Sequence, residues 1–278
     1  MRNIYIYILL IFFSLVFMVE NNRMVTIGGC VTETVFALGE GKNVVAVDQS
    51  SIIPDIVTDL PQVGYIRGIS IENILSMNPT QILTTTDIGP PKIINQLNQS
   101  GINVKIFNSP KTYDDILTLI SDVALFLDVE DKGIVLRNDL IKLNDKINSL
   151  KFKTKPKIAF FMSPSSGSYT AAGGQTRADY LINYLGGTNV FSKEFNRYSK
   201  VSKEQILACN PDIILVGYVR ESNKEEIINL FKEENIFQYV SAINNDKIYS
   251  VNVGQLLSFG PSFVNSASEL IEKINLNE

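Results

Sequence analysis

The chain has 278 residues, of which 45% are hydrophobic and 19% charged, and its formal net charge is −4. This length and composition fit one large or two medium globular domains with a substantial core. The acidic balance argues against nonspecific nucleic-acid binding, which needs a basic face. Histidine is absent, and its absence excludes Ser-His-Asp and Cys-His catalysis and imidazole zinc sites. The two cysteines, Cys30 and Cys209, are expected to be free thiols.

Residues 1–23 have the organisation of a secretory signal peptide. The first three residues form a short basic segment, and residues 4–19 form an almost unbroken apolar run, which is slightly short for a membrane span. The end of this run lacks the small residues that favour cleavage, so a retained membrane anchor is the alternative. Both interpretations predict an exported protein.

The segment after the signal alternates short apolar strands with amphipathic helices, a pattern typical of parallel α/β structure. It predicts an N-terminal lobe over residues 24–125. Glu33 stands three residues after Cys30, and this spacing predicts a capping box at the start of the first helix. The predicted strands are 24–27, 43–47, 81–85 and 104–107, and the predicted helices are 30–39, 70–77 and 91–99.

Residues 113–150 show helical periodicity with no strand. A break near residues 128–132 divides the segment into two helices, of which the second, about 131–150, is long and amphipathic. We therefore expect a stiff linker region over residues 126–152.

The alternation resumes after the linker and predicts a C-terminal lobe over residues 153–278. Residues 163–170 are interpreted as a loop after the first strand of this lobe. The predicted strands are 157–161, 213–216 and 247–251, and the predicted helices are 175–185, one from 202, 225–233 and 261–274.

The two lobes share an internal repeat. Residues 70–83 align without a gap with residues 202–215, and serine, glutamate, Ile-Leu and Asn-Pro coincide. Each copy predicts an N-cap serine, a helix, an Asn-Pro stop and a buried strand. The segment that precedes the first copy contains Tyr65 and Arg67, whereas the corresponding Arg197-Tyr198 of the second lobe lacks the glycine and the spacing.

Tyr65 and Arg67 are the residues with the most suggestive chemistry. Phenolate is a hard anionic donor that suits Fe(III), and a nearby guanidinium favours the deprotonated phenol. In an extended segment, residues two apart face the same way, so we expect Arg67 beside Tyr65. The residues alone equally allow an ordinary loop tyrosine and a surface charge. An α/β enzyme is the competing class, but the chain has no P-loop, no G-x-G-x-x-G motif and no visible nucleophile–base pair.

Several motifs, spread over the chain, together carry a family resemblance. They are Gly28-Gly29-x-x-Thr32-Glu33, Gly64-Tyr65-x-Arg67-x-x-Ser70-x-Glu72, residues 173–189, the doubled Ser-x-Glu…Asn-Pro, and Gly260-Pro261. In their order and spacing, the chain resembles the haem-binding members of the cobalamin/siderophore-type periplasmic substrate-binding proteins of ABC importers, over essentially the whole mature sequence. The resemblance implies two Rossmann-like lobes joined by a long rigid helix, with the ligand cleft between the lobes.

The resemblance also implies roles for individual residues. Tyr65 is expected to be an axial ligand of haem iron, with Arg67 beside it, and Arg67 and Arg220 are candidate partners for the propionates. Tyr169 is a candidate for the opposite face of the haem, with a five-coordinate iron as the alternative. The candidate apolar walls are Ile66, Leu256, Leu257 and Phe259.

Glu72 and Glu204 occupy equivalent positions in the first turn of a helix in each lobe. Simple compensation of the helix dipole would explain them, but the resemblance implies docking on the two halves of a permease dimer. We thus expect a monomeric, non-enzymatic periplasmic protein that binds haem and delivers it for haem and iron uptake. A ferric siderophore or cobalamin as ligand is the alternative, and a zinc or manganese carrier is excluded by the absence of histidine.

Overall fold

The structure is a computed structural model that describes residues 22–162, 164, 168–219, 221 and 224–276. The predicted signal peptide, except for its last two residues, and Arg220 lie outside the described residues. Within the described ranges, no helix combines the length and the apolar character needed to cross a membrane.

The N-terminal lobe is built on a four-stranded parallel sheet with the strand order β2-β1-β3-β4. Its strands are runs of apolar and β-branched residues, and β1 and most of β3 are buried, as expected for a sheet covered on both faces. The alternation predicted from the sequence is confirmed here. The elements are β1 (Met24–Ile27), α1 (Gly29–Ala37), β2 (Val44–Val47), α2 (Ile71–Leu75), β3 (Gln81–Thr85), α3 (Lys92–Gln99) and β4 (Asn103–Phe107).

Two helices, α4 (Tyr113–Phe126) and α5 (Glu130–Leu150), follow the first sheet. Thr112 begins α4 with a capping box that it forms with Asp115. Gly133 allows α5 to pack closely on α4, because a Cβ atom at this position would lie 2.5 Å from the Ala124 Cβ atom. The predicted division into two helices is confirmed, whereas the boundaries of the linker and the lobes stay predictions.

The C-terminal lobe contains a six-stranded mixed sheet with the order β10-β9-β5-β6-β8, and β7 pairs with β5. The strands that had been predicted, β5, β9 and β10, run parallel. The antiparallel strands β6 and β8 were not predicted, because they are short and carry no continuous apolar run. The strands are β5 (Lys157–Phe161), β6 (Tyr169–Ala172), β7 (Thr188–Asn189), β8 (Tyr198–Val201), β9 (Ile213–Tyr218) and β10 (Ile248–Asn252).

Six described helices complete this lobe, and the last of them returns to the linker. The Nζ atom of Lys146 in α5 lies 2.6 Å from a carboxylate oxygen of Glu272 in α11. The Asn275 amide also donates to the Leu150 carbonyl at 3.1 Å, so α11 is tied along α5. The helices are α6 (Arg177–Tyr184), α7 (Lys203–Cys209), α8 (Lys224–Lys232), α9 (Ser241–Asn244), α10 (Val253–Ser258) and α11 (Pro261–Asn275).

The internal repeat is confirmed by the backbone. Ser70 and Ser202 are N-cap residues whose hydroxyl groups each accept a hydrogen bond at 3.2 Å from the amide three residues later. Asn78, three residues after the end of α2, and Asn210, the C-cap residue of α7, both have positive φ, 49° and 39°. Asparagine adopts this conformation more readily than most residues, so the chain turns at the Asn-Pro pair in both copies, although α2 already ends at Leu75.

The Glu33 side chain joins the first helix, α1, to the end of α10 and the start of α11. Its carboxylate accepts hydrogen bonds from the Ser258 hydroxyl at 2.6 Å and from the Ser262 amide. The predicted capping box was therefore wrong: the helix begins after Gly28, which makes no side-chain cap, and the glutamate instead binds residues around the start of α11. Gly260 permits this approach, because a Cβ atom there would lie 2.7 Å from a Glu33 oxygen.

Candidate ligand-binding cleft

Tyr65 and Arg67 lie in a tight turn that precedes α2. Gly64 has φ 117°, a value that side-chain-bearing residues rarely adopt, and it turns the chain into a single 3₁₀ turn over Ile66–Gly68. The expected extended geometry was thus wrong, because Arg67 lies within the helical turn. Both Tyr65, which is 51% exposed, and Arg67 nevertheless face solvent, while Ile66 between them is buried.

The backbone of this turn is anchored on two sides. The Gly89 amide donates to the Ile66 carbonyl at 2.8 Å, and the Gly89 carbonyl accepts from the Ile69 amide at 3.1 Å. On the other side, the Gln49 amide donates to the Gly64 carbonyl at 2.9 Å. These bonds attach the turn to the segments that follow β2 and β3, so the Tyr65 backbone is held in place while its side chain remains accessible.

A cleft of about 820 Å³ opens between the two lobes. The N-terminal lobe contributes Arg67 and the segments after β3 and β4, and the C-terminal lobe contributes α6, the start of β8 and one residue of α10. A volume of this size is within the range of small-molecule sites, about 300–1,000 Å³. The lining residues are Arg67, Asp87, Ser109, Lys111, Gln175, Thr176, Arg177, Asp179, Tyr180, Asn183, Arg197, Tyr198 and Leu257.

Positive charge predominates in this cleft. Among the described residues, four cationic side chains line it against two carboxylates, and one of these carboxylates, that of Asp179, already accepts a hydrogen bond at 2.9 Å from the Asn189 amide. The net charge of this lining is therefore opposite in sign to that of the whole chain, which is −4. An anionic ligand is therefore electrostatically matched to it. The four cations are Arg67, Lys111, Arg177 and Arg197.

Arg177 is the least exposed of these cations. It occupies the first position of α6, after the N-cap Thr176, and its guanidinium carbon lies 3.9 Å from the centroid of the Phe259 ring. Burial lowers the pKa of Arg177 from its ordinary value, but an arginine stays protonated at physiological pH. The result is a half-buried cation supported on an aromatic face.

Only one of the four predicted apolar walls lines the cleft. Leu257 is 48% exposed there. Ile66, Leu256 and Phe259 are buried instead, so their prediction as surface walls was wrong. Ile66 packs in the core of the N-terminal lobe, and Phe259 lies beneath Arg177. The prediction failed because the hydrophobicity of a residue does not show whether it lines a cleft or lies in the layer behind the lining.

Tyr169 does not reach the cleft. It lies on β6, is only 3% exposed, and packs its ring against Phe161, Phe231 and Phe237. Burial raises the pKa of its phenol, which disfavours a phenolate ligand. The placement of Tyr169 thus contradicts its predicted position opposite Tyr65, and Arg220, the other candidate from this lobe, lies outside the described residues.

The predicted docking residues, Glu72 and Glu204, are both exposed in the first turns of α2 and α7. The pKa of Glu72 is lowered by its own backbone amide and that of Glu204 by the Ser202 hydroxyl, so both remain anionic.

The cysteines are free, as predicted, and burial raises the pKa of Cys30 to about 12.

Sequence reasoning missed most of the cationic lining. Arg177 lies within residues 173–189, which entered only as a feature of the resemblance, and the hydroxyl of the N-cap residue Thr176 accepts from the Asp179 amide at 3.0 Å. The cap was the only available signal, because it shows that the next residue opens a helix at a strand end, where α/β proteins often bind ligands.

Two α/β lobes around a charged cleft define a bilobal solute-binding protein. The chain belongs to the periplasmic binding protein family, whose model matches residues 24–252. It is therefore a periplasmic solute-binding protein of the kind that serves ABC importers, as the sequence predicted, and this family is one of binding proteins and not of enzymes.

Similar solved structures and curated relatives include heme-binding and vitamin B12-binding proteins. The periplasmic heme-binding protein BhuT in complex with two hemes is 26% identical, with a TM-score of 0.78 over 92% of this chain and 98% of that one. The heme-binding protein RhuT from Roseiflexus sp. RS-1 gives the same identity and TM-score over 92% and 99%. A vitamin B12-binding protein of Vibrio parahaemolyticus is 25% identical over 98% of this chain and 96% of its own.

Proposed function

We propose that the protein binds haem in the cleft and delivers it to the permease of an ABC importer. The observation that carries this proposal is Tyr65, an exposed phenol two residues before Arg67, which lines the cleft, on a turn whose backbone is hydrogen-bonded on two sides. A phenolate oxygen is an established ligand of ferric haem. A ferric ion stabilises the deprotonated form of an oxygen ligand that binds it, and Arg67 lies in the same turn as Tyr65.

The cleft also suits the rest of a haem molecule. Leu257 offers an apolar contact for the porphyrin, and the four cations are available for its two propionates. Solved structures of 26% identity carry the description of heme-binding proteins, and this likeness supports the same ligand here.

A ferric siderophore or cobalamin is the second candidate. The cluster of cations would equally suit an anionic ferric siderophore, and curated relatives are named vitamin B12-binding proteins. The Tyr65 phenol separates the candidates, because siderophore oxygens already surround their iron, whereas haem iron has free axial positions. A direct bond from the protein to the metal is therefore expected for haem.

Titration of the purified protein with hemin tests the proposal. We expect about one hemin per chain with a shifted Soret band and a high-spin ferric spectrum. Tyr65→Phe keeps the ring and removes the oxygen, so it should weaken binding by roughly 100-fold and change the spectrum. Tyr239→Phe is the matched control, because Tyr239 is also an exposed tyrosine but ends the 3₁₀ turn Asn235–Tyr239, which contributes no residue to the cleft.

Parallel titrations with a ferric siderophore and with cyanocobalamin complete the test. If either ligand binds more tightly than hemin, the second candidate is correct. If Tyr65→Phe binds hemin as tightly and with the same spectrum as the parent, the iron–phenolate assignment is wrong.

Delivery is proposed to use Glu72 and Glu204 as the contacts with the permease. Their repeat-related positions put one exposed carboxylate at the start of a helix in each lobe, a suitable arrangement for a dimeric partner with basic residues. The double variant Glu72→Lys, Glu204→Lys should lose salt-sensitive binding to the cognate importer in nanodiscs while it keeps hemin affinity. Glu226→Lys is the control, since Glu226 is also exposed in the first turn of a helix; equal loss with this control would refute the specific docking role.

A further inference from the structure

Arg177 is placed where helix energetics disfavour it. A positive charge in the first turn of a helix interacts unfavourably with the helix dipole, and Arg177 is the first residue of α6. It is also half-buried, which adds a desolvation cost. Among the described residues it forms no ion pair and no side-chain hydrogen bond, so no carboxylate is in direct contact with it, and only the more distant charges of Asp87 and Asp115 act in its favour.

The surrounding residues nevertheless hold its guanidinium in a defined position. The Phe259 ring lies under it at 3.9 Å, and this ring is itself fixed by Phe263 at 4.4 Å and Tyr180 at 5.2 Å between ring centroids. Phe259 has φ 54°, an unusual conformation for a bulky residue. An aromatic platform of this kind covers one face of the guanidinium and leaves its N–H groups for another partner.

The remaining open side of Arg177 is the cleft, which it lines. The carboxylates whose charge acts on it are those of Asp87 and Asp115, both exposed residues of the N-terminal lobe. A planar guanidinium that is partly desolvated and pre-oriented binds a carboxylate through two parallel hydrogen bonds. A bound carboxylate would also supply the counter-charge that the fold does not.

We propose that Arg177, positioned by Phe259, is the specificity-determining residue of the cleft and binds a free carboxylate of the ligand. The inference rests on the proposed function. It adds that Arg177, in the C-terminal lobe, selects a tetrapyrrole that carries a free carboxylate on one of its own side chains. A corrin whose side chains are neutral amides lacks this group. Arg67, on the N-terminal lobe, lies in the same turn as Tyr65, the proposed iron ligand.

A ligand-by-variant comparison tests the assignment. Hemin and hemin dimethyl ester, in which both carboxylates are esterified, are titrated into the wild-type protein and into Arg177→Gln in the same detergent-containing buffer. Arg177→Gln should weaken hemin binding by about 10- to 100-fold, the loss expected for a charge-assisted hydrogen bond. It should change binding of the ester by less than about threefold, because that ligand has no carboxylate for Arg177 to bind.

Two further variants separate this role from general effects. Arg177→Lys keeps the charge without the planar fork and should recover part of the hemin affinity. Lys200→Gln removes one exposed charge from β8 outside the cleft and should leave both affinities unchanged. Circular dichroism and thermal unfolding verify that each variant is folded.

The outcomes distinguish the two proposals. Suppose that the wild type and Tyr65→Phe behave as expected. If Arg177→Gln then weakens the binding of hemin and of its ester equally, or weakens neither, the haem-binding proposal stands and the Arg177 assignment is overturned. If the wild type binds no hemin, both proposals are overturned.

Discussion

Replacement of Glu33 by alanine should loosen the junction between the first helix and the last two. The Glu33 side chain is 4% exposed and accepts hydrogen bonds from the Ser258 hydroxyl and the Ser262 amide. Alanine leaves the buried amide unpaired, at about 1–3 kcal/mol, and also creates a cavity. We expect a total loss of roughly 3 kcal/mol in the free energy of unfolding, which lowers Tm by about 6–12 °C in a chain of this size.

Glu33→Gln is the matched control, because it keeps the volume and both hydrogen bonds. Its amide oxygen can accept from the Ser262 amide, and its NH₂ group can donate to the Ser258 hydroxyl. The glutamine should therefore cost less than about 1 kcal/mol, and a Glu33→Gln variant as unstable as Glu33→Ala would show that the hydrogen bonds are not what matters.

The pH dependence gives an independent check. Burial raises the pKa of Glu33 above its ordinary value of 4.5, so folding favours the protonated carboxyl. This contribution to stability is fully present below pH 4.5 and is lost as the pH rises through the folded-state pKa. In urea unfolding between pH 4 and 8, the stability of the wild type relative to Glu33→Gln should decline as the pH rises. A difference that is constant, or that grows with pH, would refute the account.

Two other substitutions probe the ligand turn and the repeat. Gly89→Ala places a Cβ atom 3.0 Å from the Arg67 carbonyl oxygen, so it should shift the Tyr65 turn and weaken hemin binding by about 10-fold. Gly68→Ala is the control, because a Cβ atom there meets no atom within 4 Å, and it should have little effect in the same hemin titration. Ser202→Ala removes the capping box of α7 and should cost about 1 kcal/mol, seen as a Tm lower by about 2–4 °C with unchanged hemin affinity; an unchanged Tm would argue against the cap.

Most of the longer parallel strands were predictable because burial on both faces leaves a clear pattern, whereas the two-residue parallel strand Thr188–Asn189 was not predicted. Gln81–Thr85 and Lys157–Phe161 were predicted with the bounds that the structure has, since each is a short apolar run between turn residues. The antiparallel strand Tyr169–Ala172 was not, because four residues with two alanines give no periodic signal. Its neglect led to the loop assignment of Tyr169 and hence to the wrong side-chain position.

The site was predictable where chemistry is carried by a local motif and not where it depends on tertiary packing. Tyr65 and Arg67 stand together in one short segment, so the sequence places them together. Arg177 and Phe259 are far apart along the chain, and their stacking arises only when α10 packs beside α6. The same packing explains why Phe259 is buried while its neighbour Leu257 is exposed.

The internal repeat sharpens the argument for where the metal ligand lies. Tyr65 and Tyr198 each precede a capped helix of the repeat, but they occupy different structures. Tyr65 is exposed on a 3₁₀ turn after a positive-φ glycine, whereas Tyr198 begins strand β8, and burial raises the pKa of its phenol to about 12. A phenol that must ionise to bind iron is favoured by exposure and disfavoured by burial. Although Tyr198 also lines the cleft, its phenol is the less suitable of the two, and Tyr65 is therefore the tyrosine that we propose for the iron.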